Sequence, residues 1–191
     1  MRAFPDFALV ATDDLSVQLR QMGIAYFHEA VQYIALLPYR RNRDTTDSCA
    51  LLREQGGTCS TKHAALRRLA VAHGYADIQL RIGIFKMNAH NTPKVGAVLR
   101  QHALEYLPEA HCYLVYGGQV YDFTTPLSHR NPLFINDLLE EITIEAAQIA
   151  TDKIGLHRAY LQKWLAAEGL SATFSLEQLW AVREACIAAL Q

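Results

Sequence analysis

The 191-residue sequence contains no C-x-x-C pair; its four cysteines, Cys49, Cys59, Cys112 and Cys186, are scattered along the chain. That spacing excludes a thioredoxin-like redox motif and the paired cysteines of a structural zinc site. No stretch reaches the roughly 18 apolar residues of a membrane-spanning helix. The opening MRAFPDFALVATDDL carries an early Arg, Pro and Asp where a signal peptide would have an unbroken apolar core. The cysteines are therefore expected as free thiols and the protein as cytoplasmic. An excess of either charge is also lacking, with 18 Lys and Arg against 19 Asp and Glu and a formal net charge of -1. No global field favours nucleic acid or an acidic membrane, and neither is expected as a partner. The basic pairs Arg40-Arg41 and Arg67-Arg68 stand without an accompanying aromatic stripe. Internal repeats, low-complexity tracts and obvious linkers are absent too.

What remains is an ordinary globular composition, 51% hydrophobic and 19% charged, long enough to bury a core. Asp13 and Asp14 precede a helical pattern that Gly23 stops, and a second helix is expected from Tyr26 to Leu37, ended by Pro38. Residues 40–48 read as a loop. A helix is expected from Cys59 to about His73, with Gly74 as its stop. In DIQLRIGIF, Ile78, Leu80, Ile82 and Ile84 recur with a period of two, which predicts a strand buried on one face. A short helix follows Pro93. HCYLVY and QVYDFT flank Gly117-Gly118 and predict a β-hairpin. After a polar stretch past Thr125 come EITIEAAQI as a strand, a helix from Asp152 to Glu168, and a final helix opened by a Ser175/Gln178 capping box. The fold class is α+β. One domain is expected: a helical lead-in over 1–56, a core over 57–125 and a mainly helical part over 126–191.

Cys59 is the first chemical candidate. A cysteine at a helix N-terminus has a lowered pKa, because unpaired N–H groups and the helix dipole stabilise the thiolate. Gly56 and Gly57 just before it allow a tight turn and room for a substrate. The bland reading is a small buried hydrophobe. A cysteine nucleophile needs a base, and the base needs an orienting group. His111 and Asp122 lie on the two strands of the expected hairpin, within about two residues of direct opposition.

Taken together, GGTCSTKHAALRRLAVAHGY and AHCYLVYGGQVYDFTTP resemble the transglutaminase-like superfamily of papain-like folds. The resemblance covers residues 55–126. It implies a nucleophile-bearing helix packed on a small antiparallel sheet with helical flanks, and a triad of Cys59, His111 and Asp122, in that order along the chain. Many members follow the active histidine with Ala-Trp, and here it is followed by Cys112-Tyr113. Cys112 is expected on the opposite sheet face from His111, in the core. The extra β domains and calcium sites of the crosslinking transglutaminases have no match here. The resemblance therefore implies a thiol-dependent hydrolase of a peptide-like amide working through an acyl-enzyme, with a peptide or small amide as substrate and no cofactor.

Two alternatives accompany it. Gln55-Gly56-Gly57-Thr58-Cys59 is also similar to the block around the nucleophile of the arylamine N-acetyltransferases, longer enzymes with a third domain, so acyl transfer to an amine is one. A catalytically inactive binding or scaffold module of the same fold is the other. Four further residues are candidates for substrate contact. Gln55 and Gly57 flank the nucleophile, with Gln55, Asn91 and Tyr121 as possible second oxyanion donors beside the Cys59 N–H. Lys62 falls on the core-facing side of the helix. Either its stem covers apolar surface while the ammonium snorkels out, or it is a cation near the thiolate or a substrate carboxylate. His63, four residues after Cys59, is expected to line the cleft or its rim. A Cys59–His63 zinc pair lacks a second ligand pair at structural-zinc spacing, so no metal is expected.

Overall fold

Caps and turns set the element boundaries. In the computed structural model, residues 3–126 and 133–190 are described. The Asp13 carboxylate accepts bonds from the Ser16 N–H (3.0 Å) and Oγ (2.6 Å) and opens helix α1, Asp14–Gln21. Gly23 ends it at φ 82°, a conformation that costs glycine little. Helix α2 runs Phe27–Leu36, with the Glu29 carboxylate reaching back to the Ala25 and Tyr26 N–H groups. A one-turn helix α3, Ala50–Arg53, follows the expected loop. Helix α4 is Cys59–Ala72, with Gly74 at φ 85° behind it. Strand β1 is Gln79–Asn88, helix α5 Gly96–Gln101, and strands β2, β3 and β4 are Tyr106–Tyr116, Gln119–Tyr121 and Leu138–Ile144. Helices α6, Thr151–Ala167, and α7, Leu176–Leu190, complete the order. The expected cap of α7 is made in both directions, Ser175 N–H to Gln178 Oε1 at 2.8 Å and Gln178 N–H to Ser175 Oγ at 3.2 Å. Part of the polar stretch after Thr125, residues 127–132, lies outside the described residues.

The strands form one antiparallel four-stranded sheet in the order β3-β2-β1-β4. Gly117 and Gly118, at φ 57° and 78°, make the two-residue turn whose positive dihedrals match strand twist. They set the register Leu114↔Tyr121, Val115↔Val120 and Tyr116↔Gln119. The outer strands are poor templates for further pairing. β3 has three residues, and β4 exposes Glu140 and Glu141.

By packing, the chain falls into two compact units, one of Met1–Ile82, Cys112–Pro132 and Ile142–Ala150, the other of Gly83–His111, Leu133–Glu141 and Thr151–Gln191. The borders cut β1, β2 and β4. The first unit is organised around α4, which packs against α1 and α2. Leu15, Leu19, Phe27, Ile34, Leu66 and Leu69 are at most 1% exposed in its core. The second unit packs α6 and α7 against each other. Its centre holds a buried ionic cluster: Arg183 grips Glu109 with bonds of 2.5 and 2.8 Å, and His157 Nε2 donates to the Pro108 carbonyl at 2.8 Å. Burial pushes the Glu109 carboxyl up, but Arg183, His157 and Lys153 outweigh it, so the net displacement is below the usual carboxylate range.

Candidate functional site

Cys59 is the first residue of α4, as its sequence setting predicts. The local reason is a reciprocal cap. Thr61 Oγ1 accepts from the Thr58 N–H at 3.0 Å, and Thr58 Oγ accepts from the Thr61 N–H at 3.4 Å. The cap fixes where the helix starts, and therefore sets Cys59 among the N–H groups that have no partner within the helix. The residue is 5% exposed.

The preceding glycines serve a purpose different from the expected one. Neither adopts a positive φ. A Cβ on Gly56 would lie 2.5 Å from Arg40 Nε, and one on Gly57 would lie 2.8 Å from Thr61 Oγ1 and 3.2 Å from Lys62 Cγ. The space they leave is occupied by the protein's own side chains, so Gly57 is a close-packing residue here. Gly57 also pairs with the segment after α2, donating to the Pro38 carbonyl at 3.1 Å and accepting from the Arg40 N–H at 3.4 Å.

Helix α4 is buried nearly all round, polar residues included, and Lys62, His63 and Arg67 each bond to backbone groups. Lys62 does not snorkel. It is 0% exposed, and its ammonium donates to the carbonyls of Ala35 (3.2 Å), Leu37 (2.6 Å) and Thr124 (2.7 Å). Burial lowers its pKa to about 8, while the charges of Asp122 and Cys59 pull it back upward. It is therefore an ammonium at neutral pH. Arg67, one turn further on, donates to the carbonyls of Ala76 and Ile78 at 2.9 and 2.7 Å.

His63 does not line a cleft or its rim. It is 0% exposed, and both ring nitrogens are engaged. Nε2 accepts from the Phe123 N–H at 2.7 Å, which leaves the proton on Nδ1 to donate to the Cys59 carbonyl at 2.8 Å. That tautomer is neutral. The ring fastens the first turn of α4 to the segment after β3. Its Nε2 lies 3.6 Å from Asp122 Oδ1.

Asp122 sits one residue past β3 and is 3% exposed. Its Oδ1 accepts from the Thr124 N–H at 2.9 Å and from Thr124 Oγ1 at 2.6 Å. The Asp-Phe-Thr sequence is thus a side-chain-closed turn that orients the carboxylate. The first unit in this way gathers Cys59, Lys62, His63 and Asp122 into one bonded assembly. His111 belongs to the second unit, where its ring meets Phe134 (centroids 4.7 Å apart) and Phe85 (6.2 Å). Cys112, next to it, is fully buried, as expected.

The proposed oxyanion donors fare differently from expectation. Both N–H groups of the Gln55 amide are spent, on the Leu52 carbonyl at 2.5 Å and on Tyr33 Oη at 3.1 Å. Asn91 Nδ2 donates to the Lys86 carbonyl and to Asp137, each at 2.7 Å, and Tyr121 Oη donates to Gln119 at 2.9 Å. None of the three offers its donor to a substrate in this arrangement. An apolar cavity of about 590 Å³ lies in the first unit beside Phe123, walled by Phe4, Val31, Ala35 and Tyr121.

Comparison with family models, curated proteins and solved structures returned no match. The functional reading of the chain therefore rests on its own residues.

The sequence offered Lys62 as a cation near the thiolate, but it did not reveal the carbonyl partners of Lys62, the backbone partners of His63 or the turn made by Thr124. The signal for Lys62 was its place on the apolar face of α4. For Thr124 the signal was a Thr two positions after Asp122, the spacing of a side-chain-closed turn. No signal in the sequence announced the Phe123 N–H as the partner of His63.

Proposed function

We propose that the chain is a thiol-dependent acyl-transfer enzyme on a papain-like, transglutaminase-like core. Cys59 is the nucleophile, His111 the general base and Asp122 the group that orients it. The observation that carries the reading is the bonded link, through His63 and Lys62, between the helix turn bearing Cys59 and the turn bearing Asp122. A buried carboxylate and a helix-N-terminal cysteine held in one frame are what a Cys-His-Asp triad needs from its two fixed members. The β2–β3 register ends with Leu114 opposite Tyr121, the residue before Asp122.

In the reaction, His111 takes the Cys59 proton, and the thiolate sulfur bonds to the substrate carbonyl carbon. The Cys59 N–H, at the start of α4, donates to the oxyanion. Collapse of that intermediate breaks the bond to the leaving amine, which receives the proton from His111. Water then attacks the thioester and returns the free thiol. The substrate class is a peptide-like amide.

The test is intact-mass analysis after incubation with a panel of acyl amides and acyl thioesters. The expected result is a single acyl adduct that maps to Cys59 and disappears in Cys59→Ala, with its formation slowed at least about 100-fold in His111→Ala. No adduct with any donor, or an adduct that persists in Cys59→Ala, contradicts the proposal.

A further inference from the structure

We propose that Lys62 is a positioning residue of this thiol site. Its ammonium ties the first turn of α4 to the Asp122–Thr124 turn and to the end of α2, and it supplies a fixed positive charge to the thiolate. The inference rests on the acyl-transfer reading above.

The ammonium sits in a matched cage. It has three N–H donors, and three carbonyls meet them, those of Ala35, Leu37 and Thr124. A neutral amine would turn a lone pair toward one of those oxygens, so the cage fits the charged form. The partners come from two parts of the frame. Ala35 is in α2, Leu37 is its C-terminal cap, and Thr124 closes the turn that holds Asp122. One side chain therefore ties two segments, the end of α2 and the Asp122–Thr124 turn, to the start of α4.

The charge of the ammonium has its own effect. A fully buried lysine ordinarily lies against a carboxylate. Here the contacts are carbonyl dipoles, which solvate the ammonium without cancelling its charge. That charge acts on its neighbours, and both Asp122 and the Cys59 thiolate favour the protonated lysine. The coupling is reciprocal, so the ammonium favours the thiolate by the same amount. Charged or titratable groups beside the start of α4 among the described residues include Lys62 and His63 on α4 and Asp122 after β3. His63 is held neutral by its two bonds, so it cannot replace the charge of Lys62.

The experiment measures the rate of Cys59 alkylation by iodoacetamide against pH in the full chain, for wild type, Lys62→Met and Lys62→Gln. Gln keeps two donors and removes the charge. The expected result is an apparent thiol pKa raised by about one unit in both variants. Wild-type chain labelled with ¹⁵N-lysine supplies a readout independent of how well the variants fold. One slowly exchanging ammonium signal is expected at neutral pH, with a titration midpoint that falls when Cys59 is alkylated. Variant profiles that overlay the wild type, or a midpoint unmoved by alkylation, overturn the role of Lys62. A wild-type Cys59 that alkylates no faster than an ordinary thiol instead overturns the acyl-transfer reading on which it rests.

Discussion

Lys62 shows how one buried side chain shapes the pH response of the fold. Its folded pKa of about 8 lies below the ordinary 10.5. Between those values the unfolded chain binds a proton that the folded chain has released, so stability rises with pH across that window. Below about 8 both states are protonated, and this dependence vanishes. Chemical denaturation of wild type and Lys62→Met from pH 7 to 10.5 is the check. Wild type is expected to gain stability relative to the variant as pH climbs past 8, and a constant difference contradicts the assignment. The position was legible in the sequence, because a helical wheel already places Lys62 among Leu66 and Leu69. The three carbonyls were not, because they come from segments up to 62 positions away in sequence. His63 was misplaced for a related reason. A histidine near a cysteine suggests chemistry, whereas this one is used to fasten two pieces of backbone.

At the scale of elements, α4 depends on its cap. Its sequence is rich in alanine and leucine, good helix formers, but the start at Cys59 is set by the Thr58–Thr61 exchange. Thr58→Ala is expected to cost about 1 kcal/mol in urea unfolding, with Thr58→Ser retaining most of it. Equal stability of all three proteins contradicts the cap's role. The elements themselves were largely readable. Period-two alternation marked β1, and Gly117-Gly118 marked the hairpin. Strand β2 was not fully legible, since it begins at Tyr106 and not at His111. Leu-Pro-Glu-Ala is a poor strand signal, with a proline that cannot donate to a ladder. Tertiary bonds override it there, with Arg183 on Glu109 and His157 on the Pro108 carbonyl. Strand β3 stops at Tyr121 because the Asp122 side chain closes a turn in place of a further ladder step.

On the scale of the whole molecule, the two units are stabilised by different means. The first is an apolar core around a helix whose buried Lys62, His63 and Arg67 bond to backbone groups. The second buries an ion pair, its Arg183 and Glu109 side chains only 13% and 8% exposed. Removing one partner strands the other, so Arg183→Met is expected to lose about 3–5 kcal/mol at pH 7. Glu109 has a lowered folded pKa, so its contribution is present above its ordinary 4.5 and is lost as pH falls through the lowered value. The gap between wild type and Arg183→Met should therefore shrink on acidification toward pH 3. A gap that widens contradicts this account of the cluster. Among the described residues, no helix is long and apolar enough to cross a membrane.

The central claim is that Cys59 alone among four buried cysteines is an activated thiolate. The other thiols give an internal reference. Burial pushes Cys49 up and Cys186 up to about 11. The most direct measurement is peptide-resolved alkylation of the native chain by iodoacetamide at pH 6, following all four cysteines at once. Cys59 is expected to label first and faster than a small free thiol under the same conditions, with Cys49, Cys112 and Cys186 unreacted over that time. Labelling of Cys59 at or below the rate of the free thiol, or no sooner than its three companions, contradicts the account.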